Sequence, residues 1–310
     1  MNRLKGFLLA VSFAAITGML GGCAMSYTKY VYRDAEEYAP GDCEITDRIE
    51  DLDVDYLSGN VRLVSSDTNT ASVKETSNVE LDDRRKVHTW VDGTTLRVRF
   101  CASGKKLSFD GIEKSLVIEV PKSVYMNTVK MAGTSADISC EGIKTGSLGI
   151  DVTSGNITAD CEAGDISVEA TSGDITLAQK GKSESIRIKT TSGDIKVDAK
   201  TVSDMNIEVT SGVVSVKADD VKTIKSEATS GNGNFRFAKT PGSTDIHVTS
   251  GDIEITVPEN ADLTANIDTT SGDFSYDLPL SKNGSSYICG SGANKLNIES
   301  TSGDIDLNVL

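Results

Sequence analysis

The feature that most constrains this chain is a five-residue phrase, Thr-Ser-Gly-Asp-Ile, found at Thr171–Ile175 and again from Thr191, Thr249 and Thr301. Looser copies begin at Thr134, Thr153, Thr210, Thr229 and Thr270, so successive threonines stand 19, 18, 20, 19, 19, 20 and 21 residues apart before a last step of 31. A fixed period of this size means one supersecondary unit per repeat, and no single unit can bury its apolar face alone. The turn recurs at one point of every repeat. A stacked solenoid accounts for that better than an antiparallel meander, which need not repeat its turn chemistry in register.

The columns around the threonine carry the argument further. Three residues before it stand Ile150, Val168, Ile188, Ile207, Ser226, Ile246, Ile267 and Ile298, and one residue before it Val152, Ala170, Thr190, Val209, Ala228, Val248 and Thr269. Four and six residues after it come pairs such as Ile157 and Ala159, Ile175 and Leu177, Ile195 and Val197, Phe274 and Tyr276, and Ile305 and Leu307. This is period-two alternation on both sides of a turn, so each rung is expected to hold two strands of about five residues joined by two turns. Stacking at roughly 4.8 Å packs each column on itself and pairs each backbone with the rungs above and below.

The expected fold is all-β: a parallel β-solenoid, or β-helix, with rungs of about 19–20 residues over 131–310 and a loop excursion near 278–294. Between 43 and 130 the strands are less regular. Asp92-Gly93 separates two alternating runs as in a hairpin, and Leu57-Ser58-Gly59-Asn60 is a worn copy of the phrase. This region is expected to be an irregular, partly antiparallel cap on the same solenoid. At the other end the rung finishing at Leu310 would be the last, with Asp304 and Asp306 discouraging end-to-end pairing.

Residues 1–23 carry Arg3 and Lys5, an apolar run from Gly6 to Leu20 that is short for a membrane span, and then Leu20-Gly21-Gly22-Cys23. That is the pattern of a secretory signal peptide. Its end resembles a bacterial lipobox, which implies that Cys23 receives diacylglycerol, becomes the mature N-terminus and holds the protein to a membrane. Ala24 follows the cysteine, where by analogy an acidic residue would mark the inner membrane; the expected address is the outer membrane of a Gram-negative cell, and otherwise the cell surface. From 24 to 42 the chain is polar, with four tyrosines in no period, and reads as a tether.

The net charge is −15, and losing Arg3 and Lys5 leaves 29 basic against 46 acidic residues, or −17. Phosphate backbones need a basic surface, so nucleic acid is excluded as a partner. Together the lipobox, the ragged N-terminal strands, the Val120-Pro121 step and the train of T-S-G-D-I phrases resemble the bacterial DUF4097 family of candidate adhesins over about residues 45–310. The resemblance implies an envelope-located β-solenoid without established catalytic activity, and it offers no site residues to carry over.

Asp or Asn stands three residues after the threonine at Asp137, Asn156, Asp174, Asp194, Asn232, Asp252, Asp273 and Asp304, with Val213 breaking the series. A cation ladder is one reading, through shared oxygen ligands. Turn chemistry is the other: Gly takes φ > 0 and Asx side chains bond nearby amides. The threonine column itself could suggest an ice-binding face, but stacked hydroxyls bonding one another account for it more simply.

Two residues before the threonine stand Asp151, Glu169, Lys189, Glu208, Glu227, His247, Asp268 and Glu299. Alternation points this column outward. Its acidic members Asp151, Glu169, Glu208, Glu227, Asp268 and Glu299 are the candidate docking stripe for a partner, against the plainer reading of a solvated face. Cys140 and Cys161 share inward parity on adjacent rungs, where a disulfide and two packed thiols are both open. Cys43, Cys101 and Cys289 have no assignable pairing.

Nothing assembles into a catalytic or metal motif, and no cofactor is implied. The expected role is a non-enzymatic structural or adhesive module with an envelope, glycan or protein ligand. A stress-sensing or scaffold lipoprotein is the alternative. A polysaccharide-active β-helix enzyme is the third reading, and it would need a cleft beside the 278–294 loop with converging carboxylates.

Overall fold

The computed structural model describes residues 28–310; the expected signal peptide and Cys23 lie outside the described residues. The rungs run as continuous strand, for instance Ile157–Ser172, Ile175–Ser192, Ile195–Ser211 and Val214–Ser230, each broken only at Ser-Gly-Asx and its variants. Of the two expected turns, therefore, only one interrupts the hydrogen bonding. The second corner is taken by a bulge, as between Glu141 and Ile143 and between Gln179 and Lys182, where ladder pairing resumes at once. That corner buries a column the alternation pattern did not show: Ala163, Ser183, Val202 and Val221. The polar member, Ser183, donates its hydroxyl to the carbonyl of Ala163 at 2.6 Å and so enters the core satisfied.

Stacking is parallel and nearly isomorphous. Ile157, Ile175, Ile195 and Val214 lie in register, as do Val168, Ile188, Ile207 and Ser226. At the turn, successive rungs approach so closely that only glycine fits. Gly193 has φ +136, and a Cβ there would stand 2.1 Å from the carbonyl oxygen of Gly173.

Both ends depart from chain order. At the N-terminal end, the rung Asp51–Asp55 with Ser58–Ser66 lies inside the rung made by Thr95–Arg99 and Lys114–Pro121. Antiparallel strands close this end on both sheets, His88–Asp92 over Thr95–Arg99 and Ala71–Ser77 over Lys114–Pro121, which is the irregular cap read from the sequence. The tether expected over 24–42 is packed from Thr28 onward. Thr28–Lys29 pairs with Lys106–Leu107, and Tyr30 and Tyr38 are buried. The reason is aromatic: Tyr30, Tyr32, Tyr38 and Trp90 form a chain of ring contacts at 5.3, 4.7 and 5.5 Å, anchored by Arg99 over Tyr38.

At the C-terminal end, Asn294–Ser302 lies between Ser243–Ser250 and Leu263–Ser271, and Ile305–Val309 lies between Ile253–Val257 and Phe274–Tyr276. The rung finishing at Leu310 is thus the penultimate one. Asp304 and Asp306 sit within the stack and guard no edge, contrary to the sequence expectation. The excursion explains the exchange. Ser281–Asn283 and Ser286–Cys289 form a hairpin whose second strand runs antiparallel on Leu263–Asn266, after which the chain returns beneath. Asp262 clamps the crossing, accepting the N–H of Gly292 at 2.6 Å, the N–H of Ala293 at 3.0 Å and the hydroxyl of Ser291 at 2.7 Å. These bonds hold its carboxyl below the usual aspartate range.

Candidate functional site

The structure aligns the candidate docking stripe into one outward column. Along the stack its order is Asp151, Glu169, Lys189, Glu208, Glu227, His247, Glu299 and Asp268, the last two exchanged relative to the sequence. Much of its charge is answered locally. Lys189 bonds Glu208 at 3.0 Å, Lys225 bonds Glu227 at 2.6 Å, and His247 meets Glu299 at 3.2 Å. Such exposed pairs add little stability, but they remove the uniform negative field that a bare stripe would project. Asp151 is half-buried and its pKa is raised by that burial.

The distal end of the column differs from the rest. Here Asp245, Asn297, Asn266, Glu299 and Asp268 line a groove of about 490 Å³ walled by Ser285 of the hairpin. Its amides and hydroxyls are chained: Ser286 donates to Asn266 at 2.6 Å and Asn266 to Asn297 at 2.8 Å. The groove can offer hydrogen bonds of both senses to a polar ligand. The cleft beside the 278–294 loop is therefore present in outline, with the carboxylates of Asp245, Asp268 and Glu299 in its lining and the last two in register on neighbouring parallel strands. Among the described residues, no group of three or more His, Cys, Asp or Glu side chains is placed to hold a metal ion.

The Asx column resolves as turn chemistry. Oδ1 of Asp137 accepts the N–H of Asn156 at 2.7 Å, Oδ1 of Asn156 that of Asp174 at 3.0 Å, and Oδ1 of Asp174 that of Asp194 at 2.9 Å. The ladder resumes from Asn232 through Asp252 and Asp304 to Asp273. Each side chain satisfies the next rung's amide, which is why Asp and Asn alternate freely at this position.

Cys140 and Cys161 are buried free thiols, and no bridge joins them. Register sets Cys140 beside Ala159 and Cys161 beside Ile143. Two residues of offset plus one rung separate their Cα atoms by roughly 8 Å, beyond disulfide reach. The Cys140 thiol instead points at Sδ of Met131, 3.4 Å away.

Two features escaped the sequence reading. In the N-terminal cap, Lys114 and Glu75 form an ion pair at 2.8 Å with side-chain exposures of 1% and 4%. Glu75 also accepts the Tyr56 hydroxyl and the Val87 N–H, each at 2.8 Å, and Lys114 lies 4.0 Å from the ring centroid of Phe100. No periodicity marks such a pair, because its partners lie 39 positions apart (114 − 75) on an antiparallel cap. At the opposite end, Phe274, Tyr276 and Tyr287 cluster at centroid distances of 5.3, 5.1 and 5.8 Å, with Tyr276 43% exposed. The inward parity of Phe274 and Tyr276 was legible; their place at the tip follows from the exchanged rung order.

No helix among the described residues is long and apolar enough to cross a membrane. No curated protein matches the chain. Solved structures are similar in fold. A candidate adhesin of Parabacteroides distasonis has a TM-score of 0.51 at 11% identity, with 90% of this chain and 100% of that chain covered. A candidate adhesin of Parabacteroides merdae has a TM-score of 0.49 at 14% identity, covering 88% and 96%. A candidate adhesin of Bacteroides fragilis has a TM-score of 0.43 at 14% identity, covering 88% and 97%. At such identities the likeness speaks to fold alone. The family is shown by sequence: the model described as Toastrack DUF4097 matches residues 49–308, most of the chain and every regular rung, and the protein belongs to the Toastrack DUF4097 family.

Proposed function

We propose that the protein is an exported lipoprotein, held to a membrane by acylated Cys23, that works as a non-enzymatic adhesive binding module of the cell envelope. The observation that carries this reading is polar: the first described residues pack into the N-terminal cap, and the groove around Asn266, Asp268 and Glu299 lies at the far end of the stack. About ten rung steps of ~4.8 Å separate them, on the order of 50 Å. A rigid acidic rod so tethered presents its distal groove away from the membrane and repels anionic headgroups along its flank. The solved candidate adhesins of similar fold agree with the role, and the ligand class is a glycan or an envelope protein.

The test has two arms. Growth with a labelled fatty acid should label the wild-type chain and leave Cys23→Ser unlabelled. Separately, the chain from residue 24, which keeps every described strand, should be retained saturably on intact cells. Glu169, Glu208, Glu227 and Glu299 all replaced by Gln should reduce that retention at least tenfold. Unchanged retention removes the stripe from the contact, and no saturable retention of the parent chain removes the adhesive reading.

A further inference from the structure

The chain enters the N-terminal cap through a short strand. Thr28–Lys29 pairs antiparallel with Lys106–Leu107, and the contact continues beyond both strands. The N–H of Gly104 bonds the carbonyl of Tyr30 at 2.7 Å, and the Ser103 hydroxyl accepts the Tyr32 N–H and donates to the Tyr32 carbonyl, each at 3.0 Å. Tyr30 and Leu107 are buried, and the Tyr30 hydroxyl bonds the carbonyl of Asp55 at 3.0 Å. The point of entry is therefore fixed in the cap.

That point gathers basic residues that the fold does not answer. The ladder sets Lys29 directly opposite Lys106, with Lys105 next to it, and like charges placed opposite each other weaken an antiparallel pair. Many lysines of the stack meet a carboxylate one rung away: Lys144 meets Glu162, Lys180 Asp160, Lys200 Asp219 and Lys239 Asp220. Lys105 and Lys106 are exposed, and neither makes an ion pair among the described residues. In the same segment as Lys29, Arg33 is exposed and Val31 is 64% exposed. Asp34, Glu36 and Glu37 follow in the chain, so the basic patch is confined to the strand pair and its immediate continuation. A local conflict without an internal compensation is the mark of a functional surface.

We propose that this patch is a docking surface for anionic lipid headgroups, on which the cap stands while the acidic stack points away. The proposal takes its location from the anchoring of Cys23 inferred above, and three observations choose the occupant.

The first is reach. Five residue steps separate Cys23 from Thr28, and at no more than about 3.6 Å each they hold the strand pair within about 18 Å of the acylated residue. The second is charge. Lipid phosphates are the anions nearest to a cap so tethered, and basic side chains are drawn to them over roughly a Debye length, about 8 Å at physiological salt. The third is the uneven charge of the rod. Residues 24–130 carry 15 basic against 19 acidic residues, or −4, whereas 131–310 carry 14 against 27, or −13. An anionic surface therefore repels the stack far more than the cap, and the molecule stands on its basic strand pair. Val31 adds an apolar contact at the headgroup boundary. The acyl chains supply attachment; the patch supplies orientation, and so directs the distal groove away from the membrane.

The test holds the chain from residue 24 on vesicles through an N-terminal hexahistidine tag and a nickel-chelating lipid, so it does not depend on acylation of Cys23. The vesicles are phosphatidylcholine alone or an equal mixture with phosphatidylglycerol, and acetylation of each lysine by acetic anhydride is followed by mass spectrometry. On the anionic vesicles Lys105 and Lys106 should react at least fivefold more slowly than in solution, while Lys196 and Lys295, exposed on the stack, keep their rates. The protection should be absent on phosphatidylcholine and vanish in 1 M salt, where the Debye length is about 3 Å. Lys105→Glu with Lys106→Glu, both at exposed positions, should abolish the protection of Lys29 without changing the far-UV spectrum. Equal rates on both kinds of vesicle would overturn the proposal, including equal protection on both, which is proximity imposed by the tag. Protection of Lys196 or Lys295 would overturn it too, since the rod would then lie along the surface. A chain that takes up no fatty acid removes the anchor and leaves this readout intact; unprotected lysines on a chain that does take it up remove the patch alone.

Discussion

The carboxylate Oδ1 of Asp194 accepts the backbone N–H of Val213 at 2.8 Å, one rung further along the stack. Val213 takes part in the Asx ladder through its amide but has no acceptor to pass on, so the N–H of Asn232 lacks the side-chain partner its counterparts enjoy. Val213→Asn should restore the missing link. A net gain of about 0.5–1.5 kcal/mol is expected for one such hydrogen bond, read as an increase in urea midpoint at constant slope. Asn is the better choice, because it adds an acceptor without another negative charge in the column.

Lys114 and Glu75 test the cap. Replacing Lys114 by Met leaves a carboxylate 4% exposed with no cation, which should cost about 3–5 kcal/mol. Lys114→Met with Glu75→Leu removes both charges and should recover a good part of that loss. Denaturant unfolding of the single and double variants checks it, and a double variant no better than the single would show that packing around Phe100, and not charge, dominates.

His88 should make the cap acid-sensitive. Its pKa is lowered from 6.5, first by burial, while its Nδ1 bonds the carbonyl of Lys86 at 2.9 Å. With a folded-state pKa below the unfolded value, the unfolded chain binds the extra proton between the two. Stability therefore falls as pH drops below about 6.5 and levels off once the folded state is protonated as well. Unfolding midpoints between pH 7.5 and 4.5 should slope less in His88→Gln than in the parent. His247 is present in both, so its contribution cancels.

The cysteines should differ in reactivity. Burial pushes the Cys161 thiol up to about 12 and raises that of Cys140 further, while Cys43 is only half-buried. A thiol reagent at pH 8 should modify Cys43 first in the folded protein and reach Cys140 and Cys161 only on unfolding. Mass spectrometry of unreduced, peptide-mapped protein should find Cys140 and Cys161 unlinked. A 140–161 bridge would contradict the strand register.

The middle of the molecule was nearly transparent in the sequence. Ile175, Leu177, Ile188 and Thr190 point inward because alternation about a repeated turn leaves no other place for them, and the stripe of Glu169, Glu208 and Glu227 follows from the same parity. The bulged corner was hidden, since Ala163, Ser183, Val202 and Val221 share neither chemistry nor a fixed distance from the threonine. The cap was hidden for a different reason. Lys114, Glu75 and the Tyr30, Tyr38 and Trp90 rings meet through long-range contacts, and a charge in an antiparallel strand looks solvent-facing until its partner is known.

What the sequence determined by itself is the rung: its length, its turn, which side chains enter the core, and membership in a parallel stack. Tertiary structure alone decided the order of the rungs at the ends. A regular rung presents almost the same edge to any other, so Ile298 packs as well between Ile246 and Ile267 as it would beyond them. The choice fell to the crossing clamped by Asp262 and the hairpin over Leu263, which close one sheet and leave Phe274 and Tyr276 at an open edge. Local periodicity is blind to that choice, because it depends on which end of the stack a strap of chain can reach and cover.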